Sequence, residues 1–277
     1  MTSFCGKFEY IPNQCIGTDD PVVMAHPDHI IFCFFENRGY LEAITTSPET
    51  PFIFSVRKQG VLFTNMHALG HPSYPEYIRF FAATPNGISS DDCLSTTNWK
   101  IPNLYTQLAA VGKTFAWYSE DLPAMGSKVC SSGYYREKHN PVTLFSNVPD
   151  SVNKRFADFP TDYNQLENVV CISPNMLHNM HDGTIRQADD WLRELSPLID
   201  WCKTNNSIFV IYYDENDGAA GNSVPVIAVG EHVSVNCEVA SHYDHYNWTR
   251  TLCTMFGAAN NWSPNLTSRN DIYGCWN

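Results

Sequence analysis

The sequence predicts an α/β fold with a largely parallel central sheet, and three observations carry that expectation. Three continuous apolar runs, His29–Phe35, Val169–Ser173 and Ser207–Tyr213, have the pattern of strands buried on both faces rather than alternating in and out. Segments of helical period lie between such runs, most clearly 184–202, so strands alternate with helices. Each of the three runs is followed closely by a polar cluster, at the strand ends where open α/β sheets bind ligands.

Length and composition narrow the rest. With 277 residues, 43% hydrophobic and 13% aromatic, the chain is expected to be one domain, 1–277, with ample material for a core. The net charge of −12 argues against a nucleic-acid scaffold and against attraction to an anionic membrane surface. It still admits an anionic substrate, because a bound metal inverts the local potential. No apolar run approaches transmembrane length, and Met1–Asp20 shows no signal-peptide core. The 10 cysteines form no Cys-x-x-Cys pair, so a structural zinc site is not expected. Their even number fits disulfides, although Cys33 and Cys171 sit in apolar runs and read equally as buried thiols. Sequons at Asn205, Asn247 and Asn265 add to the expectation of a secreted or extracytoplasmic setting. Oligomeric state is not legible.

Residues 1–28 read as an irregular lead-in. The run from His29 to Phe35 is the first strand, and Glu36-Asn37 follows it directly. Residues 41–66, with Pro48 and Pro51, contain short β-like runs. In His71-Pro72-Ser73-Tyr74-Pro75, two prolines hold Ser73 in a bend, and Pro75 is placed as the first residue of the helix that follows. A hydroxyl there faces a helix N-terminus, a favourable place for an anion, although an N-cap serine in a Pro-rich loop would look the same. Asn86-Gly87 marks a turn, Leu104–Val111 a short helix and Lys113–Tyr118 a strand. Residues 124–162, rich in Gly, Ser and Pro, read as a lid-like insertion or as a surface loop stapled through Cys130.

After the strand at 169–173 comes His178-Asn179-Met180-His181-Asp182-Gly183, then a helix from Thr184 to Cys202 that Pro197 kinks or divides. The strand 207–213 ends in Asp214-Glu215-Asn216-Asp217. Adjacent carboxylates at a buried strand tip repel unless a cation neutralises them, whereas a solvated acidic turn is the structural alternative. A short strand at Val224–Val229 and a helix from about Asn247 to Phe256 complete the chain, with His245 just ahead of that helix.

One chemistry accounts for all the clusters. Glu36, Asn37, Ser73, Asp214 and Glu215 offer hard oxygen ligands for one or more divalent cations, with Mg, Ca, Mn and Zn all suitable. Such an ion would lower the pKa of the Ser73 hydroxyl. Histidines would then contact phosphoryl oxygens or protonate a leaving group. No Gly-x-Ser-x-Gly elbow surrounds Ser73.

From about His29 to Phe256 the chain resembles the phosphoesterase family of the alkaline phosphatase superfamily, which holds metal-dependent acid phosphatases and bacterial phospholipases C. The residues that carry the resemblance are Glu36-Asn37, Ala68-Leu69-Gly70-His71-Pro72-Ser73-Tyr74-Pro75-Glu76-Tyr77, Glu120-Asp121-Leu122-Pro123 and Lys138-His139-Asn140-Pro141. Pro174-Asn175, Met180-His181-Asp182-Gly183, Asp214-Glu215-Asn216-Asp217 and His245-Tyr246 complete the set. Arg38 and Gly39 depart from the family's usual His and Ser.

The resemblance implies an alkaline phosphatase-like three-layer sandwich and a phosphoserine intermediate on Ser73. It implies metal ligation by Glu36, Asn37, Ser73, Asp214 and Glu215. His139 and His181 would serve catalysis, and both would bind substrate together with Asn37 and His245. Asp182 and His71 are further members of the pattern. The segment Ser132-Gly133-Tyr134-Tyr135 favours the acid phosphatase branch, hence hydrolysis of small phosphomonoesters. A phosphodiesterase or phospholipase C specificity is the enzyme alternative, and a non-catalytic binding protein on the same scaffold the alternative from another class.

Overall fold

The computed structural model describes residues 13–15, 24–40 and 49–277. Cys5, Pro48 and most of the lead-in lie outside the described residues. The strands are β1 (Asn13–Gln14), β2 (His29–Phe35), β3 (Val61–Phe63), β4 (Met66–His67), β5 (Phe115–Ser119), β6 (Ser131–Ser132) and β7 (Tyr135–Arg136), followed by β8 (Asn153–Arg155), β9 (Val169–Ser173), β10 (Ser207–Tyr213), β11 (Val226–Gly230), β12 (Cys237–Val239) and β13 (Tyr243–Asp244). Among the described residues nine of these form one sheet, in the order β1-β12-β3-β11-β10-β2-β9-β5-β8. Only β11 runs antiparallel to its neighbours, so the expectation of a largely parallel sheet holds.

The helices are α1 (Pro51–Arg57), α2 (Ser73–Ala82), α3 (Leu104–Ala110), α4 (Ile185–Glu194), α5 (Ser196–Cys202), α6 (His245–Met255) and α7 (Pro264–Thr267). They cover both faces of the sheet. Alternate residues of a strand point to opposite faces. Phe32 of β2 meets Phe80 of α2 edge-on at 5.1 Å and Trp248 of α6 at 5.4 Å, whereas His29 of the same strand meets Trp201 of α5 at 5.6 Å. Helices α2, α3 and α6 therefore form one outer layer, and α1, α4 and α5 the other, which gives three layers. Buried on both sides, β2, β9 and β10 have no solvated face to alternate toward, and this is why they read as unbroken apolar runs.

Several local expectations change. Residues 51–57 are a helix rather than a β-like run, with Pro51 in its first turn. Its β-formers are overruled by a tertiary cap: the buried Asp189 carboxylate of α4 accepts the Phe52 and Ile53 amides at 2.8–3.0 Å. Helix α2 begins at Ser73, two residues before Pro75, because a proline in the first turn forfeits no intrahelical bond. The stretch 184–202 is two helices, divided where Pro197 opens α5.

The segment 124–162 is built into the fold rather than laid over it. Strand β8 extends the main sheet beside β5, Val142, Leu144 and Phe145 are core residues, and Cys130 is bonded to Cys93. Cys15 is bonded to Cys237, brought together by the pairing of β1 with β12. Cys33, Cys171, Cys202, Cys253 and Cys275 are buried free thiols. Asn247 of the second sequon is also buried. Its side chain accepts from the Asp244 amide and donates to the Asn270 carbonyl, both at 2.8 Å, so in the folded chain it is a helix-cap residue and not a sugar acceptor. Among the described residues no helix is long and apolar enough to cross a membrane.

Candidate active site

Sheet register assembles the site. Phe35 pairs with Tyr213 in parallel β2 and β10, so Glu36 and Asp214 emerge side by side at the carboxyl ends of adjacent strands. The Glu36 amide donates to the Asn179 carbonyl at 2.8 Å, and the Asp214 amide to Phe35 at 3.2 Å. Asn37 turns the chain away with φ of +50°, a conformation that asparagine tolerates, and its amide approaches Asp214 Oδ1 at 3.4 Å.

Glu36, Asp214 and Glu215 are all buried, and one carboxylate oxygen from each lies within 4.8 Å of the others. Burial pushes all three carboxyls up, and for Asp214 the charges of Glu36 and Glu215 push further. Glu36 Oε1, Asp214 Oδ2 and His139 Nε2 are buried with no hydrogen-bond partner among the described residues. Three converging carboxylates with orphaned oxygens fit a divalent cation, which would satisfy them and offset their mutual repulsion.

Ser73 sits against this cluster. It is the first residue of α2 and is buried, and its Oγ lies 2.7 Å from Glu36 Oε2 and 3.0 Å from Glu215 Oε1. One hydroxyl proton thus has two carboxylate acceptors. His71 Nδ1 lies 2.5 Å from the other oxygen of Glu215.

His139 is buried and stacked on Tyr77 at 5.2 Å. The Asn179 side-chain amide contacts its Nδ1 at 3.2 Å, an arrangement that leaves the proton on Nε2, and that nitrogen lies 3.1 Å from Glu36 Oε1 without the alignment of a hydrogen bond. Burial draws the His139 pKa well below the usual value, with Lys138 and His181 adding to the effect, so the ring is neutral. His181 Nδ1 meets Asp182 Oδ1 at 2.8 Å, and its Nε2 lies 3.2 Å from Lys138 Nζ.

The structure thus brings together Glu36, Asn37, Ser73, His71, His139, Asp214 and Glu215, with His181 and Asp182 reached through Lys138. It corrects one expectation. His245 was expected to contact substrate, but both its ring nitrogens are committed internally. Nδ1 meets the Tyr212 hydroxyl at 2.6 Å and Nε2 the Asp214 carbonyl at 2.7 Å. Burial lowers its pKa to about 4, so it is a neutral prop beneath Asp214.

Three participants were not singled out from sequence: Asn179, Lys138 and Asp91. Lys138 adjoins His139 in a quoted motif, so a signal for it existed. Asp91, in a loop without periodicity, offered none. The Glu120-Asp121 pair serves the loop after β9: Glu120 accepts the Asn175 amide at 2.9 Å and contacts His178 Nδ1 at 3.0 Å.

Solved structures share this architecture at low identity. A protein in the alkaline phosphatase superfamily from Vibrio parahaemolyticus superposes with a TM-score of 0.61 at 12% identity, covering 91% of this chain and 72% of that one. Lipoteichoic acid synthase from Listeria monocytogenes superposes with a TM-score of 0.61 at 9% identity, covering 88% of this chain and 79% of that one. The fold is that of the alkaline phosphatase-like scaffold, and its family and relatives make the chain a phosphoric ester hydrolase. The chain belongs to the Phosphoesterase family, whose model matches residues 42–259. A phosphatidylinositol-3-phosphatase from Mycobacterium tuberculosis is 38% identical over 250 residues, which span 89% of this chain and 83% of that protein. A phosphate-repressible acid phosphatase from Penicillium chrysogenum is 30% identical over 223 residues, which span 72% of this chain and about half (53%) of that protein.

Proposed function

We propose that the chain hydrolyses phosphomonoesters by nucleophilic attack of Ser73, with one or more divalent cations held by Glu36, Asp214 and Glu215 and with Asn37 and Ser73 as further oxygen donors. The observation that carries this reading is the Ser73 hydroxyl set between two buried carboxylates, 2.7 Å and 3.0 Å away, at a helix N-terminus. A bound cation would neutralise the acidic cluster and lower the pKa of the serine hydroxyl.

Ser73 gives its proton to Glu36 or Glu215 as Oγ bonds to phosphorus and the ester oxygen departs, leaving a phosphoserine. A water then displaces the serine oxygen, which takes its proton back from the carboxylate, while the water gives a proton to the His71 ring that protonated the leaving oxygen. The α2 N-terminus favours the anionic phosphoryl group. His71, held by Glu215, is half-exposed at the rim and can pass a proton to the leaving oxygen. Asn179 holds His139 in place, so that its neutral ring packs beside the Glu36 carboxylate.

The phosphomonoester class is supported by relatives named as phosphatases, among them one named for a phosphatidylinositol phosphate. The two disulfides support an extracytoplasmic setting.

The test is hydrolysis of p-nitrophenyl phosphate and its bis-ester, with chelator and metal add-back, in the parent and in Ser73→Ala. We expect chelator-sensitive monoester turnover, a loss of about 10³-fold or more in Ser73→Ala, and acid-stable phosphate on the Ser73 peptide of quenched parent enzyme. Preference for the bis-ester would move the reading to a phosphodiesterase or phospholipase C. Turnover retained in Ser73→Ala would remove the nucleophile.

A further inference from the structure

The Lys138 ammonium stands near enough to Glu36 for their charges to interact, and it has no role in the chemistry above. The Lys138 side chain is only 12% exposed, and its Nζ donates to Asp91 Oδ2 at 2.7 Å and to His181 Nε2 at 3.2 Å. His181 can accept there because its other nitrogen gives its proton to Asp182. An ammonium has three N–H groups, so one is left without a partner among the described residues. Burial works against the charge on Lys138, but Glu36 and Asp91 outweigh it and hold its pKa above the usual lysine value.

Asp91 connects this ammonium to the nucleophile. Its Oδ1 accepts the amide of Tyr74, the residue after Ser73, at 3.0 Å, while Oδ2 holds Lys138. One carboxylate therefore bridges the α2 N-terminus and the ammonium. Its loop is tied to the segment that carries Lys138. Cys93 is bonded to Cys130, the Glu137 amide donates to the Cys130 carbonyl at 3.0 Å, and the Leu94 amide donates to Glu137 Oε2 at 3.0 Å. An incidental surface ion pair needs none of this bracing and contributes little. A largely buried lysine with a spare N–H beside a nucleophilic serine is placed to meet an anion.

We propose that Lys138 binds a nonbridging oxygen of the substrate phosphoryl group beside Ser73, and that Asp91 is a positioning residue that aims it. The proposal rests on the phosphomonoesterase reading and adds a basis for selectivity to it. A monoester dianion carries a second negative charge that a diester lacks, so Lys138 favours monoesters over diesters.

The experiment compares the metal-loaded parent with Lys138→Met, Lys138→Arg, Asp91→Asn and the Lys138→Met/Asp91→Asn double variant. Its readouts are KM and kcat for p-nitrophenyl phosphate and its bis-ester, and equilibrium binding of inorganic phosphate by calorimetry. Lys138→Met is expected to weaken phosphate binding and raise the monoester KM by about 10-fold or more, with a smaller effect on the bis-ester. Lys138→Arg should restore part of the loss. Asp91→Asn should shift the same quantities less, and the double variant should be no worse than Lys138→Met alone, because Asp91 acts through Lys138.

Unchanged phosphate affinity in a Lys138→Met protein of parental melting temperature would overturn the proposal, and so would additive losses in the double variant. If Lys138→Met unfolds, Lys138→Arg against Asp91→Asn supplies the same comparison. Phosphate binding is read without turnover, so failure of the parent to hydrolyse the monoester would sink the functional reading while leaving the Lys138 assignment separately measured.

Discussion

Glu36, Asp214 and Glu215 explain why this site has to bind something. Each carboxylate is expensive to bury alone, and the three repel one another. Ser73 and His71 satisfy some of their oxygens, but Glu36 Oε1 and Asp214 Oδ2 remain unpartnered among the described residues. Asp214→Asn removes one anionic ligand while keeping the shape of the side chain. It should weaken divalent-metal affinity by about 100-fold or more, because even partners outside the ligand set cost 10–100-fold. Metal content after dialysis against trace metal checks this, and a parental metal content would show that Asp214 is not a ligand. His245 shows why residue type alone is a poor guide: the same imidazole is a donor at a site's surface and a neutral spacer below it, and the Tyr212 and Asp214 contacts decide which.

At the scale of elements, the ends of helices are where distant parts of the chain meet. Helix α1 has no side-chain cap of its own, and the Asp189 carboxylate reaches it from α4. Asp189→Ala leaves the Phe52 and Ile53 amides without that acceptor in a largely buried setting. We expect a loss of about 2 kcal/mol in urea unfolding, at the upper end for a lost cap, with KM unchanged because α1 lies across the sheet from Ser73. A stability equal to the parent's would show that water replaces the cap. Helix α2 uses its N-terminus differently: Asp91 caps the Tyr74 amide from outside, leaving Ser73 at the helix start to face the carboxylates.

Across the whole molecule, a parallel sheet buried on both faces places its functional groups at one edge and its inert groups in the middle. The free thiols belong to the inert set. Burial pushes Cys33, Cys171 and Cys275 well above the usual thiol value, and Cys202 and Cys253 up to about 12. A raised pKa means that the reactive thiolate is scarce at pH 8, and burial also denies access. Alkylation of the native protein at pH 8 should leave the peptides with these five cysteines unmodified, and denaturant without reductant should expose them. Rapid native labelling of any of them would contradict their burial.

Much of this was legible from the chain itself. Unbroken apolar runs revealed β2, β9 and β10 because a doubly covered strand has no polar face, and the clusters beyond them revealed the carboxylates. The prolines around Ser73 fitted an N-cap serine equally well, so that residue stood out only beside the other clusters, while the family was legible from its motifs. Tertiary structure alone decided the rest. The two- and three-residue strands β1, β8 and β12 are too short for a period, and exist because a neighbour offers an edge. Helix α1 ran against its own propensities because its cap comes from α4. The pairing of Cys15 with Cys237, the use of His245 as a prop and the bridge from Asp91 to Lys138 join residues far apart in sequence. Local sequence encodes what a segment buries and what chemistry it carries; which partner it meets depends on how the layers close.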